Sequence, residues 1–283
     1  MAATSSAVAS PRTALAIDRA ARLVWAFARV GFLNTLAYRL RYYTGIVTYL
    51  IYVSVYYFIW KAIYEHSASI EGFDFAHILT YIGVGWIIRS FYFNNIDQDL
   101  AYQVMEGRLA MDLIKPVNIQ MMYVARAAGE SVFRLALLTL PTAVVLFLVF
   151  PLRLPASWGY AAAFFLSVCM SLLIVAAINF AVGTFALRLQ SILGLLRAKF
   201  FLLELFSGLL LPMTFFPPLA QKILAFMPFQ YISYIPMLIY LGKLSGLALA
   251  RAIGAQILWV VALMLIGDAF WRWSTRKLII QGG

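Results

Sequence analysis

From Leu154 to Leu187 the chain carries no charged residue. That run constrains the fold more than any other feature. In water it would expose an apolar surface that no soluble domain could cover. In lipid it is the expected composition, and the bilayer interior forces every backbone amide into a helix or a closed barrel. No period-2 alternation runs through it, so helices are expected rather than a barrel. A crossing takes about 20 residues, so this segment exceeds one crossing and either tilts or projects beyond the membrane. The whole chain agrees. It is 64% hydrophobic and 12% charged, against roughly 25% charged in soluble domains.

The same reading places span one at Tyr42–Trp60, with Trp60 as an interfacial anchor. An acidic loop follows, with Glu65, His66, Glu71 and Asp74. Span two is expected at Phe75–Ile96 and contains Arg89, a cation that is costly in lipid and so should face protein. The polar stretch Asp97–Asn118 is expected to be helical up to Lys115-Pro116, where the proline ends or redirects it. Span three runs from Met121 to Phe150. Arg126, Glu130 and Arg134 stand four apart on one face, and Pro141 should kink it. Span four falls within Leu154–Leu187. Span five is expected at Phe200–Leu211, reaching towards Phe216, and the last at Ala252–Trp271.

Ile223–Gly242 is uncharged and long enough to be a seventh span. Pro228 and Pro236 interrupt it, after Pro212, Pro217 and Pro218. Two short helices dipping into the outer leaflet are expected instead. Charge supports the even count. With six spans, one side receives Arg12, Arg19, Arg22, Arg29, Arg39 and Arg41, then Arg108 and Lys115. It also receives Arg188, Arg197 and Lys199, and finally Arg272, Arg276 and Lys277. The other side receives Lys61, Arg153, Lys222 and Lys243, with Arg251 near the boundary. Both termini are therefore expected in the cytoplasm. The net charge of +11 is explained by these flanking cations and calls for no nucleic acid.

Before span one, Met1–Arg12 is rich in Ala and Ser, and Arg19, Arg22 and Arg29 follow with Asp18 as the lone acid. A transit peptide has this composition. So has a basic amphipathic helix at the membrane surface, which is favoured because Trp25, Phe27, Phe32 and Leu33 lead straight to span one. No secretory apolar region precedes Arg12. The single cysteine, Cys169, excludes an internal disulfide.

Catalytic residues are not evident. A phosphate cradle would read G-x-x-x-x-G-K-[ST]. Leu241-Gly242-Lys243-Leu244-Ser245 lacks the upstream glycine, so ATP hydrolysis needs another chain. Glu65-His66 and Asp74-x-x-His77 lie on the outer loop. They could serve as acid and base or hold a metal, though polar residues in a short loop need no special purpose. Neither H-E-x-x-H nor G-x-S-x-G occurs. Arg89, Glu204 and Asp268 are the charges an ion-coupled transporter would use, and structural pairing is the plainer explanation. Arg89 lies about seven residues, roughly 10 Å, inside span two, and Glu204 roughly 8 Å inside span five. Either they pair or share a polar cavity, or each snorkels separately to the headgroups.

Two stretches carry a family resemblance. Glu106-Gly107-Arg108-Leu109, with Leu113-Ile114-Lys115-Pro116-Val117, resembles the cytoplasmic motif of ABC-2 type transporter permeases. Ser207-Gly208-Leu209-Leu210-Leu211-Pro212, continuing to Phe216-Pro217 and Pro228-Phe229-Gln230-Tyr231, resembles their outer region and is the more specific of the two. The ending Gln281-Gly282-Gly283 is similar to one subfamily of short permeases without a fused ATPase. The resemblance implies an all-α membrane protein of six spans. Residues 1–41 would form a cytoplasmic arm and amphipathic helix, and residues 42–283 a single transmembrane permease domain. It implies a coupling helix between spans two and three that docks on an ATPase through Glu106, Gly107, Arg108, Asp112 and Pro116. It implies a re-entrant helical pair at the outer face, marked by Pro212, Pro217, Pro228, Phe229 and Tyr231. No cofactor is expected in this chain, while the partner ATPase would bind ATP and magnesium. The expected partners are ABC ATPase subunits, membrane lipid, and a second permease copy or a non-identical homologous permease. The expected setting is the bacterial cytoplasmic membrane. The expected activity is ATP-driven export of an amphipathic or hydrophobic substrate. An ion-coupled secondary transporter and a membrane-embedded enzyme are the alternatives.

Overall fold

The computed structural model describes residues 11–37, 40–189 and 192–276. Arg39, Lys277, the ending Gln281-Gly282-Gly283 and residues 1–10 lie outside the described residues. The chain forms helices α1 (Pro11–Ala37), α2 (Leu40–Ile63), α3 (Phe75–Tyr92), α4 (Ile96–Met105), α5 (Leu109–Leu113) and α6 (Ile119–Arg134). They are followed by α7 (Leu140–Val149), α8 (Trp158–Gly183), α9 (Leu193–Phe206), α10 (Pro218–Ala225), α11 (Tyr234–Tyr240) and α12 (Gly246–Thr275). Among the described residues there is no strand, only an isolated bridge between Ile70 and Phe73. Four helical stretches are long and apolar enough to cross a membrane: Tyr43–His66, Ile119–Val149, Trp158–Leu187 and Gly246–Thr275.

The second of these joins α6 to α7 through a π turn at Leu135–Thr139. Pro141 explains it. A proline there cannot donate to the carbonyl four residues back and would clash with it, and the wider turn just before it relieves both problems. At the centre of the molecule stands α3. From Ile78 to Tyr92 every residue is buried except Arg89, which is half-buried. Protein rather than lipid surrounds this helix, which is why it tolerates a cation.

Three expectations need correction. The polar linker is not one helix, because Gly107 takes φ +71° and separates α4 from the short α5. The fifth expected span begins earlier, at Leu193, and ends earlier, at Phe206. Gly208, at φ +81°, turns the chain there, a conformation that side chains with a β-carbon resist. Third, the N-terminal helix is more than a surface arm. It docks on α6 so tightly that a β-carbon on Gly129 would stand 1.8 Å from the Ala28 carbonyl oxygen. One on Gly31 would stand 2.2 Å from that of Arg126. Phe32 meets the ring of Phe133 edge-on at 5.1 Å.

The connections sort onto two faces. On one, Lys243 Nζ donates to the Gly72 carbonyl at 2.6 Å, and Tyr240 Oη donates to the Arg153 carbonyl at 3.0 Å. The α2–α3, α7–α8 and α11–α12 loops therefore meet. On the other, α4 packs against the C-terminal end of α8. Arg188 bonds the Trp273 carbonyl there, and Asn118 Nδ2 reaches Asp268 Oδ1 at 3.5 Å.

Candidate functional site

The ends of α3 and α8, the start of α4 and one side of α9 line a cleft of about 90 Å³ whose mainly apolar wall carries several charged and amide side chains. Sequence local to each helix supplies its charges. Arg89 sits in the last turn of α3 and Asp97 in the first turn of α4. Lys199 and Glu204 lie on α9, Asn179 on α8, and Asn94 in the α3–α4 turn. Arg89 Nε donates to Glu204 Oε1 at 2.6 Å, and Nη2 bonds the same oxygen. The two charges that sequence depth placed at similar levels thus meet, with side chains 12% and 18% exposed. The Arg89 guanidinium also lies 4.9 Å from the Phe93 ring centroid and 5.3 Å from that of Trp86. Such contacts suit a weakly hydrated planar cation.

A second ion pair accompanies the first. Lys199 Nζ stands 2.7 Å from Asp97 Oδ2 and donates to Asn179 Oδ1 at 2.7 Å. Asn179 Nδ2 in turn donates to Asn94 Oδ1 and to its carbonyl. Both pairs therefore tie α9 to the α3–α4 corner. That matters because α9 fully buries only Leu196 of its own residues, its other packing being Leu203 at the edge of the core and the ring contact of Phe200 with Phe93. Sequence reasoning missed Asp97, Lys199 and Asn179. The signal available was an acid in the first turn of a helix that follows a span carrying Arg89.

The linker beside the cleft presents a mixed surface. Glu106 and Arg108 are exposed and pair with each other at 3.1 Å. Met105, Met111 and Ile114 are 66%, 66% and 75% exposed. Asp112 behaves differently. It is buried, bonds Lys115, and lies 3.9 Å from Arg126 Nη2, so it fastens α5 to α6 rather than facing out. Pro116 follows in the turn that leads to α6. Behind the linker, Glu130 pairs with Arg134. Asp99 keeps an exposed surface in the cavity it lines, and its carboxyl is pushed up to about 6, first by partial desolvation there and then by the charges of Glu130 and Asp97, against the opposing pull of Arg126 and Arg134.

At the opposite face the proline-rich segment folds into two short helices. Pro217 and Pro218 start α10, Pro212 precedes a 3-10 turn, and Pro228 precedes another at Phe229–Tyr231. The segment is tied down by buried polar groups. Gln256 Nε2 and Ser171 Oγ donate to the Tyr231 carbonyl at 2.9 and 3.2 Å. Tyr92 Oη and Ser233 Oγ share a 2.8 Å bond, and Tyr234 N–H donates to the Ser207 carbonyl. The Phe229 ring stands 6.2 Å from Phe206.

A family model described as ABC-2 family transporter protein matches residues 50–282. The chain belongs to the ABC-2 transporter family. No curated protein matches it. The matched region takes in the cleft, the α4–α5 linker and the proline-rich segment, and leaves α1 outside. In this ABC-2 permease the remaining sequence candidates have local roles. Asp268 pairs with Arg272. Asp74 caps α3, accepting from the His77 N–H at 2.6 Å and from Arg153 at 3.2 Å. Burial raises its carboxyl affinity for protons, but that N–H and the charges of His77 and Arg153 outweigh it and hold the carboxyl below 3.8. Glu65 and His66 stay exposed. Among the described residues no His, Cys, Asp and Glu side chains gather as metal ligands do.

Proposed function

We propose that this ABC-2 permease is the membrane subunit of an ATP-driven exporter with six spans and both termini in the cytoplasm. ATP and magnesium bind to separate ATPase chains. The two-face arrangement of the connections supports the even count. Taken in order, α2, α3, α6–α7, α8, α9 and α12 run alternately between the faces. At 14 residues, α9 covers roughly 21 Å, and a bent segment from Gly208 to Pro212 continues from it. Helices α10 and α11 have eight and seven residues, far below the roughly 20 that a crossing needs. They form the re-entrant outer pair.

The linker α4–α5 is the docking element for the ATPase. Its exposed Met105, Met111 and Ile114 give an adaptable apolar knob, with Glu106 and Arg108 beside it. The observation that carries the reading is the pair of ion bridges. Asp97, at the root of the linker, holds Lys199 of α9, and Arg89 holds Glu204 five residues further along. A push on the linker therefore reaches α9 through charge contacts that have two discrete arrangements, made or broken. Such an element can be biased by the state of the ATPase. Substrate, amphipathic or hydrophobic in class, passes outward when α9 shifts against a second permease, a copy or a homologue.

The test is co-purification with the ATPase and ATP-dependent transport into inverted membrane vesicles. Met111→Asp with Ile114→Asp is expected to abolish ATPase capture while the permease still purifies as a folded species. Full capture and undiminished transport in that variant would remove the linker from the interface.

A further inference from the structure

Cavities flank the crossing of α1 on α6 on both sides, one polar and lined by Arg126, Glu130 and Asp99, the other apolar. Beyond the backbone contact at Gly31 and Gly129, the two helices diverge around an apolar groove of about 430 Å³. Ala28, Phe32 and Leu33 of α1 face Val132 of α6 across it, and Trp25 stands at its edge. Leu33 is 48% exposed, Val132 58% and Trp25 72%. One charge lines the groove, Arg29. Among the described residues Arg29 has no carboxylate partner, whereas Arg22 is taken by Asp18 and Arg126 stands over Phe27 and lines the polar cavity with Asp99 and Glu130.

We infer that this groove holds one acyl chain of a phospholipid whose anionic headgroup is bound by Arg29. The inference rests on the proposed orientation, which sets α1 at the cytoplasmic surface of the bilayer. Three observations favour this occupant. The groove lies beside a helix that can cross the membrane, so it opens to lipid rather than to water. Its apolar lining ends at a tryptophan, the residue that settles at headgroup depth. Its single cation is unneutralised, and a polar head next to an apolar channel is the chemistry of a lipid. A polar peptide would leave its backbone unsatisfied there. A bound lipid would fill the space between two helices that meet at a glycine contact and so set how firmly α1 is docked.

The experiment uses the full chain in nanodiscs of phosphatidylcholine with increasing phosphatidylglycerol. A bimane is placed at Val132→Cys in a Cys169→Ala background, and one lipid or the other is brominated to quench it. Brominated phosphatidylglycerol is expected to quench half-maximally at a mole fraction about fivefold lower than brominated phosphatidylcholine, the preference that one arginine near the surface supplies. Arg29→Gln is expected to erase the preference, Arg29→Lys to keep it, and Arg19→Gln to leave it intact. Equal quenching by the two lipids in the unmodified groove overturns the inference while leaving the orientation standing. Quenching by neither puts the groove outside the bilayer and overturns the orientation as well. A preference that survives Arg29→Gln overturns the assignment to that residue.

Discussion

Arg89 and Glu204 show how a membrane protein can keep two charges where each alone would be expensive. Arg89 sits on the central helix, has aromatic rings around it, and shares one carboxylate oxygen through two nitrogens. Removing one member leaves the other without its partner at a largely buried position. Arg89→Ala and Glu204→Ala are each expected to destabilise by about 3 kcal/mol, as for a broken buried pair. The double variant is expected to lose clearly less than the sum of the two single ones, with a coupling on the order of 1–3 kcal/mol. Thermal unfolding of the purified protein reads this, and strictly additive losses would mean that the contact contributes nothing. Asp99 offers a pH-dependent counterpart. Its folded carboxyl titrates near 6, above the ordinary 3.8, so the charged form is the disfavoured one. The cost is absent below about pH 4, grows between 4 and 6, and is complete above 6. Asp99→Asn should therefore raise the melting temperature at pH 7.5, and the gain should fade on acidification through pH 6. A gain that stays constant from pH 5 to 8 would rule out this explanation.

Helix α1 is attached to α6 by a contact that no side chain larger than hydrogen would permit. Gly129→Leu is expected to push the two helices apart, an overpacking cost of about 1–3 kcal/mol. The released α1 should then be cleaved by trypsin after Arg22 or Arg29 at a rate at which the parent resists. Cleavage unchanged from the parent would mean that the crossing is not maintained in the membrane. This docking was not legible in the sequence, because a glycine reveals close approach only once its partner backbone is known. Nor was the inward turn of Asp112, which depends on Arg126 of α6 arriving beside it as well as on the neighbouring Lys115. The long apolar helices were legible, since lipid demands length and hydrophobicity from each segment by itself. That prolines break this region into short helices was legible for the same local reason, but α10 begins at Pro218, ahead of the Ile223–Gly242 stretch in which both helices were expected. Between these extremes stands α9. Its composition suggested a span, but its boundaries follow from Gly208, whose left-handed turn is closed by Tyr81 Oη bonding the Gly208 carbonyl and by Tyr234 N–H on Ser207.

The two faces of the molecule turn this local bookkeeping into a topology that can be measured. Arg153 is the residue that links the loops of one face. Its guanidinium reaches Asp74 and His77, and its carbonyl accepts from Tyr240, so residues 64–74, 150–157 and 241–245 must share a side of the membrane. Arg188 bonded to the Trp273 carbonyl fixes the α8–α9 connection and the end of α12 to a common side. Asn118 near Asp268 adds the linker after α5 to that side. These ties agree with the even number of crossings proposed above, in which α10 and α11 together return to the face they left. Single cysteines in a Cys169→Ala background test it. Ser67→Cys, Leu154→Cys and Leu219→Cys, all at exposed positions, are expected to react with an impermeant maleimide on intact cells. Ile114→Cys and Arg276→Cys, also exposed, are expected to react only after the membrane is opened. Ser274 would be a poor reporter, since it is 1% exposed and silence there would carry no information. Labelling of Arg276→Cys from outside together with protection of Ile114→Cys would require an odd count and make the proline-rich segment a seventh crossing. Protection of Leu219→Cys alone would keep the count even and move α10 away from the outer surface.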